Sequence, residues 1–327
     1  MLPLTTITAA LRPALFGAAQ ICVVALLVLY LYAHLPEFSE MNWIANGKAV
    51  GVGAAASFIC LFLNALRWRL LTSHLSIAVS LPDHLKIMLL TQALGTILPF
   101  SMSADALRVG FISRKSASIT KAIATVFVDR LIPAVITIAL FAFMLSLIRW
   151  PHVSGLVAFV TALLVIAACP LLSAFLRHLS LLLPRYLAHR TITMSYAFRL
   201  PAKKLAAFIG CTLLMHLIMV EAVIAIVICI TQQSIPIVAG SVTVSAYLLS
   251  SIFPFSIGGW GIREIAAAEI LSAFHIEAQF ATTASVCLSV GMAFASLPGI
   301  LLLRRCDVVS ALNAIKHFGR GSSDGNG

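Results

Sequence analysis

Charge is what this chain has least of: only 10% of its 327 residues are Asp, Glu, Lys or Arg, and only 11 are acidic. Soluble domains carry about 25% charged residues. A water-soluble globule is therefore excluded, and 61% hydrophobic residues with a mean hydropathy of +1.05 demand a lipid environment. The seven cysteines stand singly in apolar stretches with no C-x-x-C and no histidine at ligand spacing, which removes a zinc site and leaves structural thiols. No H-E-x-x-H, no P-loop and no G-x-S-x-G occurs, so zinc peptidase, nucleotide-driven pump and serine hydrolase readings fall away. No acidic cluster suits a metal-dependent sugar transferase, and no cofactor or metal is expected. The nine histidines lie mostly near the ends of apolar runs, where solvation explains them.

What the chain does have is long hydrophobic runs. Runs of membrane-spanning length cover about 14–35, 44–66, 131–149, 155–176, 205–231 and 280–303, and the first exceeds the core of a signal peptide. It reads as a retained anchor. Two further runs, 82–99 and 236–254, are each stopped by the same tripeptide, Pro99-Phe100-Ser101 and Pro254-Phe255-Ser256. The expected fold is an all-α polytopic membrane protein with about six full transmembrane helices and two re-entrant, broken helices. It forms one integral-membrane domain over 1–318, followed by a Gly/Ser-rich cytoplasmic tail at 319–327.

The net charge of +11 does not point to nucleic acid, because the basic residues sit in short loops between apolar runs. That distribution sets orientation in a membrane. Arg67 and Arg69 close the second run, Arg177, Arg185, Arg190, Arg199, Lys203 and Lys204 crowd the longest loop, and Arg304 and Arg305 follow the last run. Both termini are therefore expected on the cytoplasmic side of a bacterial inner membrane.

An offset of 155 residues superposes Pro99-Phe100-Ser101 on Pro254-Phe255-Ser256 and Arg108 on Arg263, so both halves read P-F-S-x6-R. Three spans separate the copies, an odd number, and the second copy enters from the opposite side. The halves, about 80–150 and 236–305, form an inverted repeat, a build shared by many secondary transporters with a polar site near the midplane.

Charges within such helices must face protein, water or ligand. Asp105 and Arg108 stand at i, i+3 on a helix that starts just after Ser101. They form either a local cap and ion pair or, with the free amides of the helix start, an anion site. In the second copy Gly258, Gly259 and Gly261 precede Arg263 and Glu264, and a Gly-rich turn running into a helix either closes tightly or cradles an anion beside Ser256. Asp129 and Arg130 are adjacent, hence about 100° apart on a helix, and Arg130 either snorkels or reaches a ligand. Glu221, in the middle of the 205–231 run with His216 before it, is either a proton carrier or a neutral packing group, and Glu264 offers the same choice. Gln92, Thr96, Ser101, Ser250 and Ser256 are candidates for neutral hydrogen bonds.

At these residues the chain resembles the flippase-like membrane family that includes the transmembrane region of lysylphosphatidylglycerol synthase. The matching pieces are Asn64-x-x-Arg67-Trp68, Leu98-Pro99 with Asp105-Ala106-Leu107-Arg108, Val128-Asp129-Arg130-Leu131, and Pro254-x-Ser256-Ile257-Gly258-Gly259-Trp260-Gly261-Ile262-Arg263-Glu264. The stretch after Pro99 departs from the family pattern in having no glycine before Asp105. The resemblance implies a protein that moves a lipid between leaflets, here an anionic or phosphate-bearing lipid held by Arg108, Arg130 and Arg263. Two other readings stay open, a non-transporting subunit working with envelope-lipid biosynthesis enzymes and an integral-membrane lipid-phosphate transferase. The partner in the leading reading is membrane lipid, and lipid aminoacylation is not implied.

Overall fold

The computed structural model describes residues 43–97, 103–116, 118–250 and 262–301, together with Leu29. All regular structure among them is helical. In chain order the elements are α1 (Trp43–His74), α2 (Leu81–Ile97), α3 (Ser103–Ser116), α4 (Ile119–Arg149), α5 (Ser154–Leu182), α6 (Arg185–Ala197), α7 (Ala202–Thr231), α8 (Ile237–Ser250), α9 (Ile262–Ala273) and α10 (Ala278–Leu301). A one-turn 3-10 segment, Pro151–Val153, joins α4 to α5. The expected run at 14–35, the two Pro-Phe-Ser breaks and the 319–327 tail lie outside the described residues.

Helices α1, α4, α7 and α10 are long and apolar enough to cross a membrane, and α5, bent by 40° between Val165 and Ala167, makes a fifth if it counts as one span. Pro170 has no N–H for the carbonyl four residues earlier, which places the bend there. Outward-facing residues such as Leu156, Phe159, Leu171 and Phe175 are large and apolar, as a lipid-facing surface requires. The chain is a multi-pass α-helical membrane protein.

Short contacts bring several helix ends together. Lys204 donates to the Ser73 hydroxyl at 3.0 Å, Lys121 to the Leu75 carbonyl at 3.3 Å, and the His74 ring stacks on Tyr196 at 4.7 Å. The end of α1 and the starts of α4 and α7 therefore share one basic end. Lys115, at the end of α3, reaches Asp83, at the start of α2, at 2.6 Å. Helices α2 and α3 thus enter from the basic end and return to it, as a re-entrant hairpin does. Helix α7 starts at the basic end, so the α8–α9 hairpin enters from the opposite one. There Ile235 and Ile276, flanking that hairpin, pack in one core cluster.

The order long, half, half, long occurs twice, with lengths of 32, 17, 14 and 31 residues in α1–α4 and 30, 14, 12 and 24 in α7–α10. An inverted duplication pairs α1 with α7 and α4 with α10, so the α1/α10 seam corresponds to the α4/α7 seam. These two seams differ. Helices α1 and α10 pack along their length, closely enough that a Cβ on Gly291 would lie 2.6 Å from the Ala54 nitrogen and 2.7 Å from the Gly53 carbonyl carbon. Small residues allow such backbone approach where no hydrophobic drive exists between helices in lipid. Helices α4 and α7, by contrast, scarcely touch.

Candidate functional site

The gap between α4 and α7 is a cavity of about 800 Å³, walled also by α1 and reached by the inner ends of both hairpins through Asp105 and Ala106 on α3 and Leu248 and Leu249 on α8. Along α4 it runs from Ile123 to Leu140, about 25 Å of helix at 1.5 Å per residue. That is most of the roughly 30 Å hydrocarbon thickness. The lining is mostly apolar, and its charged groups gather on one wall.

That wall is built on a proline. Pro133 lies inside α4 and cannot donate to the carbonyl of Asp129, one turn earlier. The freed oxygen faces Nη2 of Arg67 at 3.5 Å, while the Asp129 carboxylate accepts from Nε of Arg67 at 3.1 Å and from Nη2 of Arg108 at 2.6 Å. Arg67 also donates to Thr212 at 3.2 Å and to Asn64 at 3.0 Å. One carboxylate thereby ties α1, α3 and α4 together, and Arg67 extends the tie to α7. The Arg108 guanidinium lies 4.3 Å from the Trp68 ring centroid and that of Arg67 5.1 Å from Phe208, so aromatic faces replace the water each cation has lost.

Arg130 points the other way, as its place one residue after Asp129 requires. The Asp105 carboxylate holds it bidentately, at 2.8 to 3.1 Å, and also lies 3.5 Å from Arg108. The Arg130 side chain is 59% exposed, against 7% for Arg67, 4% for Arg108 and 1% for Asp129. Arg67, Arg108 and Asp129 form a buried brace, and Arg130 with Asp105 is the pair within reach of a ligand. The His216 imidazole borders the same cavity, 8% exposed, and neither ring nitrogen has a hydrogen-bond partner.

Of the residues singled out from sequence, Asp105, Arg108, Asp129 and Arg130 come together here, and Gln92 lines the cavity. Arg263 and Glu264 are buried in a second cluster. There the Arg263 guanidinium lies 5.2 Å from the Tyr247 ring centroid, and Ser289 donates to Glu264 and bonds the Tyr247 hydroxyl, which reaches the Met292 sulfur at 3.1 Å. Met292 borders the cavity, so the second cluster abuts it without lining it. Ser250 is buried and bonds back to the Tyr247 carbonyl. Glu221 faces outward from α7, on the exposed surface of the bundle. Ser101, Ser256, Gly258, Gly259 and Gly261 lie outside the described residues, as does the side chain of Thr96.

Arg67 is the member that sequence reasoning placed elsewhere, as a charge closing a span. The signal for it was Asn64 three residues earlier, on the same helical face, where its amide oxygen takes one guanidinium N–H. Among the described residues no group of three metal-ligating side chains occurs.

No curated protein and no solved structure matches the chain. Residues 17–299 match the family described as the lysylphosphatidylglycerol synthase TM region. That match spans most of the chain and both hairpins, so the chain belongs to the lysylphosphatidylglycerol synthase transmembrane-region family, membrane proteins named for lipid modification.

Proposed function

We propose that this protein is a lipid translocase of a bacterial inner membrane, carrying a lipid with an anionic headgroup from one leaflet to the other. The observation that carries the reading is the inequality of two equivalent seams. In an inverted repeat the two arrangements of a pair of interfaces can exchange at little cost, since each half already adopts both packings. Here α1/α10 is shut through Gly53 and Gly291 while α4/α7 stands apart around the charged wall. Opening the first seam and shutting the second would present the same wall to the opposite leaflet. The cavity's long apolar part suits hydrocarbon chains, and Arg130, held by a carboxylate it can release, suits a phosphate oxygen pair. The basic end faces the cytoplasm in this reading, by the excess of Lys and Arg in the loops gathered there.

Reconstitution into liposomes carrying fluorescent-tailed lipids tests it. The protein should move an anionic lipid between leaflets without any added nucleotide, and Arg130→Ala should slow that movement about tenfold or more, the cost of losing one charge-assisted pair. Lipid that stays in its leaflet marks a non-transporting subunit. Chemical change appearing only when a donor substrate is added marks a transferase.

A further inference from the structure

We infer a separate lipid site on the outside of the bundle, where an anionic phospholipid of the leaflet at the basic end seats one acyl chain between α4 and α5 and its phosphate on Arg199. The inference stands apart from the translocase reading. Helix α4 divides this site from the cavity, with Leu131 bordering both, and a chain that moved no lipid would keep it.

Around Pro170, α4 and α5 leave between them a groove of about 360 Å³. Leu131 and Val135 of α4, Leu171 and Phe175 of α5 and Phe198 just after α6 line it, and its least apolar group is the Cys169 thiol. Water finds no polar partner there, so hydrocarbon fills it. Along α5 the groove runs from Ala168 to Phe175, about 10 Å of helix. One leaflet offers about 15 Å of hydrocarbon, half of the full core. The groove therefore takes one chain within one leaflet, and by itself it selects no headgroup.

Arg199 supplies the selection. From Ser154 to Ser173 helix α5 rises about 28 Å, close to the roughly 30 Å of the hydrocarbon core. Ser173 thus stands where headgroups begin, next in sequence to Leu172 of the groove. The Arg199 Nε–H donates to the Ser173 hydroxyl at 2.9 Å. Ser173 is buried and fixed in turn, for Ser195 donates to its carbonyl at 2.9 Å and the two hydroxyls lie 3.1 Å apart. The Arg199 backbone N–H donates to the Tyr196 carbonyl at 2.9 Å, which holds the turn. The Nε bond is the one side-chain hydrogen bond of Arg199 among the described residues, and it leaves both terminal nitrogens side by side. That fork matches two phosphate oxygens. Arg177, one turn beyond Ser173 on the same face of α5, is also exposed, and no Asp or Glu occurs between Arg130 and Glu221. Two guanidinium groups in an acid-free stretch at headgroup level favour a lipid of net negative charge.

The test places the full chain in phosphocholine nanodiscs doped with a phospholipid that carries a photoreactive diazirine in its tail, under either a phosphoglycerol or a phosphocholine headgroup. Labelled peptides are mapped by mass spectrometry. The phosphoglycerol probe should label segments 131–135 and 168–175 about tenfold more than the phosphocholine probe. Arg199→Ala should bring the two probes level. Ser173→Ala keeps every charge and removes the anchor, so it should also shrink the preference, whereas diffuse attraction to the basic end would leave it intact. Lys203→Ala removes a charge from the same end without touching the groove lining and should change nothing. Leu171→Trp fills the groove from the α5 side and should remove labelling of 131–135 by both probes, a check that stands even where Arg199→Ala fails to fold. Equal labelling by the two probes in the parent protein, or a preference that Lys203→Ala reduces as much as Arg199→Ala, overturns the inference. Neither result bears on the translocase reading, which movement in liposomes decides.

Discussion

The two halves of the repeat share an order of helices and almost no chemistry. In α1–α4 five ionised side chains form a cross-braced wall, and in α7–α10 the equivalent hairpin buries Arg263 against the Tyr247 ring and Glu264 against the Ser289 hydroxyl. One half supplies the charge that a polar ligand would meet. The other, through Gly291 on α10, supplies the close approach that shuts the far seam.

The comparison breaks first at Asp129. Asp129→Ala leaves two guanidinium groups buried without their carboxylate, and breaking a buried pair from one side costs about 3–5 kcal/mol. Thermal unfolding in detergent should show a collapse of stability for this variant. Glu264→Gln, at the buried carboxylate of the second cluster, keeps a side-chain oxygen for Ser289 and should cost only about 1–2 kcal/mol. Equal losses in the two variants would mean the halves are braced alike. Gly291→Leu comes next. Its side chain has no room beside Gly53 and Ala54 and would wedge the α1/α10 seam, at about 1–3 kcal/mol of overpacking. Headgroup binding should survive while leaflet-to-leaflet movement falls, and normal movement would remove α1/α10 from the transport cycle.

The smallest effect belongs to Lys115→Ala. It opens the exposed Lys115–Asp83 latch at the mouth of the first hairpin and should cost under about 1 kcal/mol, measured by denaturation. Hydrogen bonds from Lys115 and the Ser80 hydroxyl hold the Asp83 carboxyl below the usual carboxylate range. The latch is therefore intact above about pH 4 and is lost only as pH falls through that lower value. A hairpin that loosened at neutral pH would contradict it.

Much of this site was legible in the residues because charges are so rare in the chain. Asp105, Arg108, Asp129 and Arg130 were singled out as rare charges in or beside apolar runs, and all four meet on one wall. What depth did not reveal was direction. Glu221 sits within a span as expected and faces outward, while His216, little more than a turn earlier on α7, borders the cavity. A helix that is apolar all round carries no stripe to announce which face turns inward. Arg263 matches Arg108 in sequence register and packs in a different cluster, since each arginine follows its own hairpin into its own half.

Sequence alone determined the long apolar runs, the two places where shorter helices replace them and the short roster of ionisable residues, because hydrophobic length and the cost of charge in lipid act locally. Tertiary structure alone decided which partners those ions take, and it left one seam parted while its twin closed. Those outcomes depend on helix rotation and on backbone approach at single glycines, and both are settled only when several helices pack at once.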